Sequence, residues 1–181
     1  MLKKLKVVKN KLLNKKETTM TKRELVMLNN TLDSLGSLKG VKIAYAIARN
    51  FAILKPEIEA IREANKLPKE LLESENYKKF EEERLALVNA HGVKDITGKL
   101  QLDANNQATI INKDVFEKGF ADLRVKYSDV ASELDKHSEA VNALLEEDAK
   151  VDFYMIDLKD IPADINAQQM NGIYSLIKSD S

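Results

Sequence analysis

FEKGFADLRVKYSDVASELDKHSEAVNAL, residues 116–144, is the stretch on which the reading of this chain turns. Within it Phe116, Phe120, Leu123, Tyr127, Val130, Leu134, His137, Val141 and Leu144 recur at alternating spacings of four and three. That is the a/d seam of a heptad repeat, where apolar side chains of one helix seat between those of another. Carried to its expected ends the helix would hold about 37 residues and, at about 1.5 Å each, reach about 55 Å.

Upstream, Tyr77, Phe80, Arg84, Leu87 and His91 offer a matching face. Pro68 suits the first position of that helix, and His91-Gly92 its end. Between Val93 and Asn112 the period changes. Leu100 and Leu102 alternate with Gln101 and Asp103, while Thr97-Gly98 and Asn105-Asn106 carry turn chemistry. These signs predict an antiparallel long-helix hairpin, coiled-coil-like, with a small β-hairpin at its tip over 93–112. Asn112 or Asp114 would cap the returning helix.

Further out the signals are local. Thr21-Lys22-Arg23-Glu24 has the form of a capping box, followed by Leu25, Leu28, Leu32 and Leu35 on one face and a stop at Gly36. A second helix is expected from Val41 to Asn65, pointing Ile43, Ile47, Phe51, Leu54, Ile58 and Ile61 inward, with Pro56 kinking or dividing it. After the long helix, Val151, Phe153 and Met155 alternate with Asp152, Tyr154 and Ile156 in a strand that runs toward Pro162. Asp164 or Asn166 then caps a last short helix with Met170, Ile173, Tyr174 and Ile177 on its face. The expected class is mainly α. One helical domain would span 21–181, made of N-terminal helices at 21–67, the hairpin at 68–149, and a C-terminal strand and helix at 150–181.

Charge sets the remainder apart. The chain has 181 residues with 29 Lys+Arg and 29 Asp+Glu. Residues 1–19 hold seven lysines and one acid, so the other 22 bases and 28 acids leave residues 20–181 at −6. Residues 1–20 thus read as a basic leader, flexible or amphipathic. Leu2, Leu5, Val8 and Leu12 fall at helical spacing among the lysines, which suits weak contact with an anionic surface, lipid or acidic protein. A solvated tail, or residues ahead of an original start at Met20, would look the same. The leader lacks the apolar core of a secretory signal. No apolar run approaches the roughly 20 residues of a membrane span.

Tests for chemistry find no motif. With no cysteine, thiolate metal sites and cysteine nucleophiles are excluded. His91 and His137 would lie about 30 Å apart along an antiparallel pair, too far to share a metal. The six glycines form no phosphate-cradling loop, and no serine lies in a nucleophile elbow. Glu81-Glu82-Glu83 reads as a solvated face, and Glu146-Glu147-Asp148 lacks the spaced ligands of a calcium loop. Five scattered arginines on an acidic body argue against specific nucleic-acid binding. No catalytic residue, metal or cofactor is therefore expected. A small accessory enzyme, or a nucleotide- or metal-handling protein with a carboxylate site, is the alternative.

The expected function is interaction with another protein. In the hairpin arrangement the β tip and the strand at 151–158 sit about 50 Å apart and cannot pair. The strand must lie on helices, pair with the leader, or be an edge that another chain completes. Val151, Phe153 and Met155, with Val141 and Leu144 on the open seam, are accordingly the expected contact surface. It would face a second copy of this chain or a different protein, unless the last helix folds back over it.

Three stretches also carry a resemblance. Leu38-Lys39-Gly40-Val41-Lys42-Ile43-Ala44-Tyr45-Ala46-Ile47-Ala48-Arg49-Asn50 is similar to the opening of a family of small tailed-bacteriophage proteins of unknown function. The layout from Tyr77 to Leu87, with Glu81-Glu82-Glu83-Arg84-Leu85, a polar hairpin and Phe116, resembles that family too. So does the close, from Leu144-Leu145-Glu146-Glu147 through Val151-Asp152-Phe153 to Leu158-Lys159-Asp160-Ile161-Pro162-Ala163-Asp164-Ile165. The likeness covers residues 21–177. It implies a phage or prophage origin and production in the cytoplasm of a bacterial host; for an interaction protein of that origin, incorporated in a virion or not, the expected target is a virion, assembly or host protein. It brings no activity and no site residues.

Overall fold

The computed structural model describes residues 15–35, 38–104 and 106–178. It is mainly helical, with one two-stranded antiparallel sheet. In chain order the elements are β1 (Lys15–Thr21), α1 (Lys22–Ser34), α2 (Val41–Ala64), α3 (Lys69–Glu73), α4 (Glu75–His91), α5 (Lys113–Lys126), α6 (Ser128–Glu146), β2 (Asp148–Tyr154) and α7 (Ala167–Ile173). The chain divides into two compact units: residues 1–65 with 141–181, here the terminal unit, and residues 66–140, the middle unit. The stretch expected as one hairpin, 68–149, is therefore shared between two units, each with a core of its own.

In the terminal unit β1 runs against β2, from Lys15 opposite Tyr154 to Thr21 opposite Asp148. Residues 15–20, expected in the leader, thus form a strand; the helical reading of Leu2, Leu5, Val8 and Leu12 lies outside the described residues. Thr21 then starts α1 through the capping box, its hydroxyl accepting from Glu24 N–H while the Glu24 carboxylate accepts from Thr21 N–H. The stop expected at Gly36 lies outside the described residues.

The core below the sheet takes Leu25, Leu28 and Leu32 from α1 and Ile43, Ile47, Leu54 and Ile58 from α2. Val151, Phe153 and Met155 fill it from the strand side, and Ile173 and Leu176 close it. Pro56 does not divide α2, which runs unbroken for 24 residues. Proline removes one hydrogen bond, and the burial of Leu54, Ile58 and Ile61 around it holds the helix through that gap. Asn50 is the one polar residue buried among these side chains. Its amide donates to Tyr154 C=O and accepts from Tyr154 N–H, both at 2.9 Å.

In the middle unit both long helices of the expectation are interrupted. Ser74 ends α3 and caps α4, its hydroxyl accepting from Tyr77 N–H. Tyr127, with φ −116° and ψ 52°, separates α5 from α6. Ser128 and Asp129 follow, residues that suit a helix start better than a helix interior. The single rod of about 37 residues is thereby corrected to two helices. The seam is nonetheless used locally: Phe80, Leu123, Tyr127 and Val130 are buried together, with Tyr77, Phe120 and Leu134 packed against them. His91 meets Phe116 edge-on at 6.4 Å and Phe80 meets Tyr127 at 6.1 Å, so α4 and α5 run antiparallel.

Candidate interaction surface

Residues 92–111 join α4 to α5 and form a knob of three short chain passes, each bonded to the other two. Val93 N–H donates to Thr109 C=O, Thr109 N–H to Gln101 C=O, and Gln101 N–H to Val93 C=O, at 2.7–2.9 Å. At its base Ile111 N–H donates to His91 C=O at 2.9 Å. The expectation here is a two-segment hairpin; the structure uses the stretch before Lys94 as a third segment. Leu100 packs so close to the backbone at Gly92 that a β-carbon there would collide with it and with Val88 C=O.

Both turns of the knob begin with an aspartate. Asp95 Oδ1 accepts from Thr97 N–H and Oγ1 at 2.7 Å and from Lys99 N–H at 3.1 Å, and Gly98 takes the left-handed position at φ 81°. Asp103 Oδ1 accepts from Gln107 N–H at 2.9 Å, with Asn106 left-handed at φ 60°. These side-chain bonds replace water and fix the turn shape. The bond from Thr97 Oγ1, with those from the Lys99 and Thr97 amides, holds the Asp95 carboxyl below its ordinary 3.8. A depressed pKa stabilises the folded form above the ordinary value and loses that contribution as pH falls through the lowered one. Amide exchange at Thr97 and Lys99 is accordingly expected to stay slow down to about pH 4 and to quicken only below it. Equal exchange at pH 3 and pH 6, once corrected for intrinsic rates, would contradict the Asp95 turn.

Among the exposed, mostly polar residues of the knob stand a few large aliphatic side chains. Ile96 is fully exposed at the apex of the first turn, Leu102 is 57% exposed and Ile111 72%, and Val115, in the first turn of α5, is 50% exposed. Large aliphatic side chains on a hydrogen-bonded scaffold are the usual makings of a protein contact, because little conformational freedom remains to be lost on binding.

The residues expected to make the contact are placed elsewhere. Val151 and Met155 are buried and Phe153 is 1% exposed, all inside the terminal unit's own core. They cannot form an open surface, because β1 supplies the missing mate and α1, α2 and the chain end cover the strand's apolar face. Val141 and Leu144 are half-buried. Val141 lines a groove of about 240 Å³ with Val26, Ile58, Ile61, Arg62 and Leu145. A second groove, about 280 Å³, lies between the start of α2 and the end of β2, where Tyr45 and Tyr154 meet edge-on at 5.5 Å.

Four residues of the acidic runs are held in ion pairs. Glu146 pairs with Arg23 at 2.8 Å and Glu147 with Lys22 at 2.7 Å. Glu81 holds Arg84 through two bonds of 2.8 Å, and Glu83 accepts from Lys126 at 2.6 Å and from Tyr127 Oη at 2.8 Å. Lys126, and then Tyr127, lowers the Glu83 pKa. Among the described residues no three of His, Cys, Asp and Glu come together as a metal site, and no helix is long and apolar enough to cross a membrane.

No family model, no curated protein and no solved structure matches this chain.

Proposed function

We propose that this chain is a non-enzymatic, phage-encoded protein that works by binding another protein, and that the knob at 92–111 is its contact. The carrying observation is the set Ile96, Leu102, Ile111 and Val115, held exposed on and beside a backbone cross-bonded at Val93, Gln101 and Thr109. A partner that supplies an apolar pocket gains from burying them, by about 25 cal/mol for each Å² removed from water. The phage origin and the bacterial cytoplasm as the place of synthesis rest on the sequence resemblance alone, and the partner class (a virion component, an assembly intermediate or a host factor) follows from that origin.

Two measurements test the reading. Ile96→Ser with Leu102→Ser should shift the melting temperature by no more than about 2–4 °C, since both side chains are mostly exposed and exposed substitutions lie within about 0.5 kcal/mol each. A drop of about 8 °C or more would mean that these residues serve the fold. A thermal-shift screen against divalent metals and nucleotides should show no stabilisation. A reproducible rise of several degrees would favour the alternative, a small accessory enzyme or a metal- or nucleotide-handling protein with a carboxylate site.

A further inference from the structure

Two grooves of the terminal unit meet at the same four residues. The smaller, of about 240 Å³, and a larger one of about 410 Å³ are both lined by Asn29, Asn30, Ile58 and Arg62. Together they follow α2 from Phe51 to its C-cap Asn65, which at about 1.5 Å per residue is about 21 Å. An extended peptide, rising about 3.3 Å per residue, covers that length in about six residues. The chemistry at the junction is one-sided. Arg62 is the one charged residue that lines the smaller groove, whose other walls include the aliphatic Val26, Ile61, Val141 and Leu145. Arg23, Arg84 and Arg124 each hold a carboxylate, but the Arg62 guanidinium has no ion-pair or hydrogen-bond partner among the described residues. The side-chain amides of Asn29 and Asn30 have none there either. Two successive asparagines inside α1 do little for the helix itself, since their side chains compete for its backbone groups. They serve the groove instead.

We propose that this junction binds the C-terminal end of another protein's chain, one that finishes in Leu, Ile or Val. The terminal carboxylate meets the Arg62 guanidinium, a pairing of two planar forks. The last side chain enters the smaller groove, where no carboxylate opposes the incoming charge, and the preceding residues leave along the larger groove. Asn29 and Asn30 each offer a donor and an acceptor, as a peptide group does. A free fatty acid would satisfy the guanidinium and the aliphatic walls, but it has no N–H for the asparagine carbonyls and no chain to lay in the larger groove. Asp33 and Glu59 also line that larger groove, Glu59 lying 3.7 Å from Lys55, so acidic residues just before the end are disfavoured. This contact lies within the terminal unit, goes beyond the knob contact and does not depend on it.

Fluorescence polarisation on the full chain tests this with a hexapeptide pool labelled at the N-terminus, Leu fixed at the last position and Asp and Glu left out of the others. The pool with a free terminal carboxylate should bind saturably. The same pool as C-terminal amides should bind about tenfold more weakly or worse, the loss of one charge-assisted pair. Arg62→Ala should weaken the carboxylate pool by a similar factor and leave the amide pool unchanged. Because Arg62 is exposed, that variant should shift the melting temperature by no more than about 2 °C. The Ile96→Ser, Leu102→Ser variant should bind the carboxylate pool as the wild type does, which separates this contact from the knob's. No binding with protein at about 1 mM, the weak end of specific association, would overturn the proposal. So would equal binding of the carboxylate and amide pools, undiminished binding by Arg62→Ala, or loss of binding in the knob variant. Octanoate that binds more tightly than the pool and displaces it would assign the site to a free aliphatic carboxylate and overturn the chain end as its occupant. If Arg62→Ala fails to fold, the contrast between the carboxylate and amide pools, which leaves the protein untouched, decides.

Discussion

Phe153→Ala is expected to destabilise the terminal unit by about 3–5 kcal/mol, the range for emptying a packed aromatic site. Phe153 is almost wholly enclosed, between α1 and α2 on one side and the chain end on the other. Its neighbours Leu25, Leu32, Ile43 and Ile173 are fully buried too, so little can move in to fill the space. The loss should appear as a fall in the urea midpoint of the transition that reports this unit, in the monomer and at any protein concentration. A Phe153 that instead served a second chain would leave that midpoint in place and alter only the mass in solution. An unchanged midpoint would therefore return Phe153 to the surface that the sequence reading assigned it.

The second large effect belongs to Asn50. Its side-chain amide matches both backbone groups of Tyr154, and the residue is completely buried. Asn50→Leu keeps the branch at Cγ, adds some volume, and leaves Tyr154 N–H and C=O without partners. At about 1–3 kcal/mol for each buried group left unsatisfied, the cost should be about 2–5 kcal/mol. Asn50→Asp can still accept from Tyr154 N–H but cannot donate to its C=O, and it buries a charge. It should therefore not restore stability at neutral pH. The amide proton of Tyr154 should exchange much faster in the leucine variant. Slow exchange with an unchanged midpoint would show that the clamp contributes nothing.

Asn50 also shows how far the sequence could be read. It stands in the α2 face with Ile43, Ile47 and Leu54, at the same spacing as its apolar neighbours. A polar residue at such a position points to a buried partner, but not to which one: Tyr154 lies 104 residues away. The helix starts were legible because caps are local. Thr21 with Glu24, Asn112 with Val115 N–H and Asn166 with Gln169 each need only a few residues to be recognised. The pairing of β1 with β2 was legible only as one of three options for the later strand, because Lys15-Lys16-Glu17-Thr18-Thr19-Met20-Thr21 has the composition of a solvated tail. It acquires strand character only beside β2. Tyr127 misled in the opposite sense. It fits the heptad seam, yet its ring packs on Phe80 and its hydroxyl reaches Glu83 where the helix breaks. The knob was visible as a change of period, while the exposure of Ile96 and Leu102 depends on a third segment that the alternation does not reveal.

The knob contact is tested most directly by affinity capture from phage-infected cells with mass spectrometry, wild type against the Ile96→Ser, Leu102→Ser double variant. A phage or host protein enriched by the wild type should be lost with the folded variant. Equal enrichment of the same proteins by both would contradict that contact.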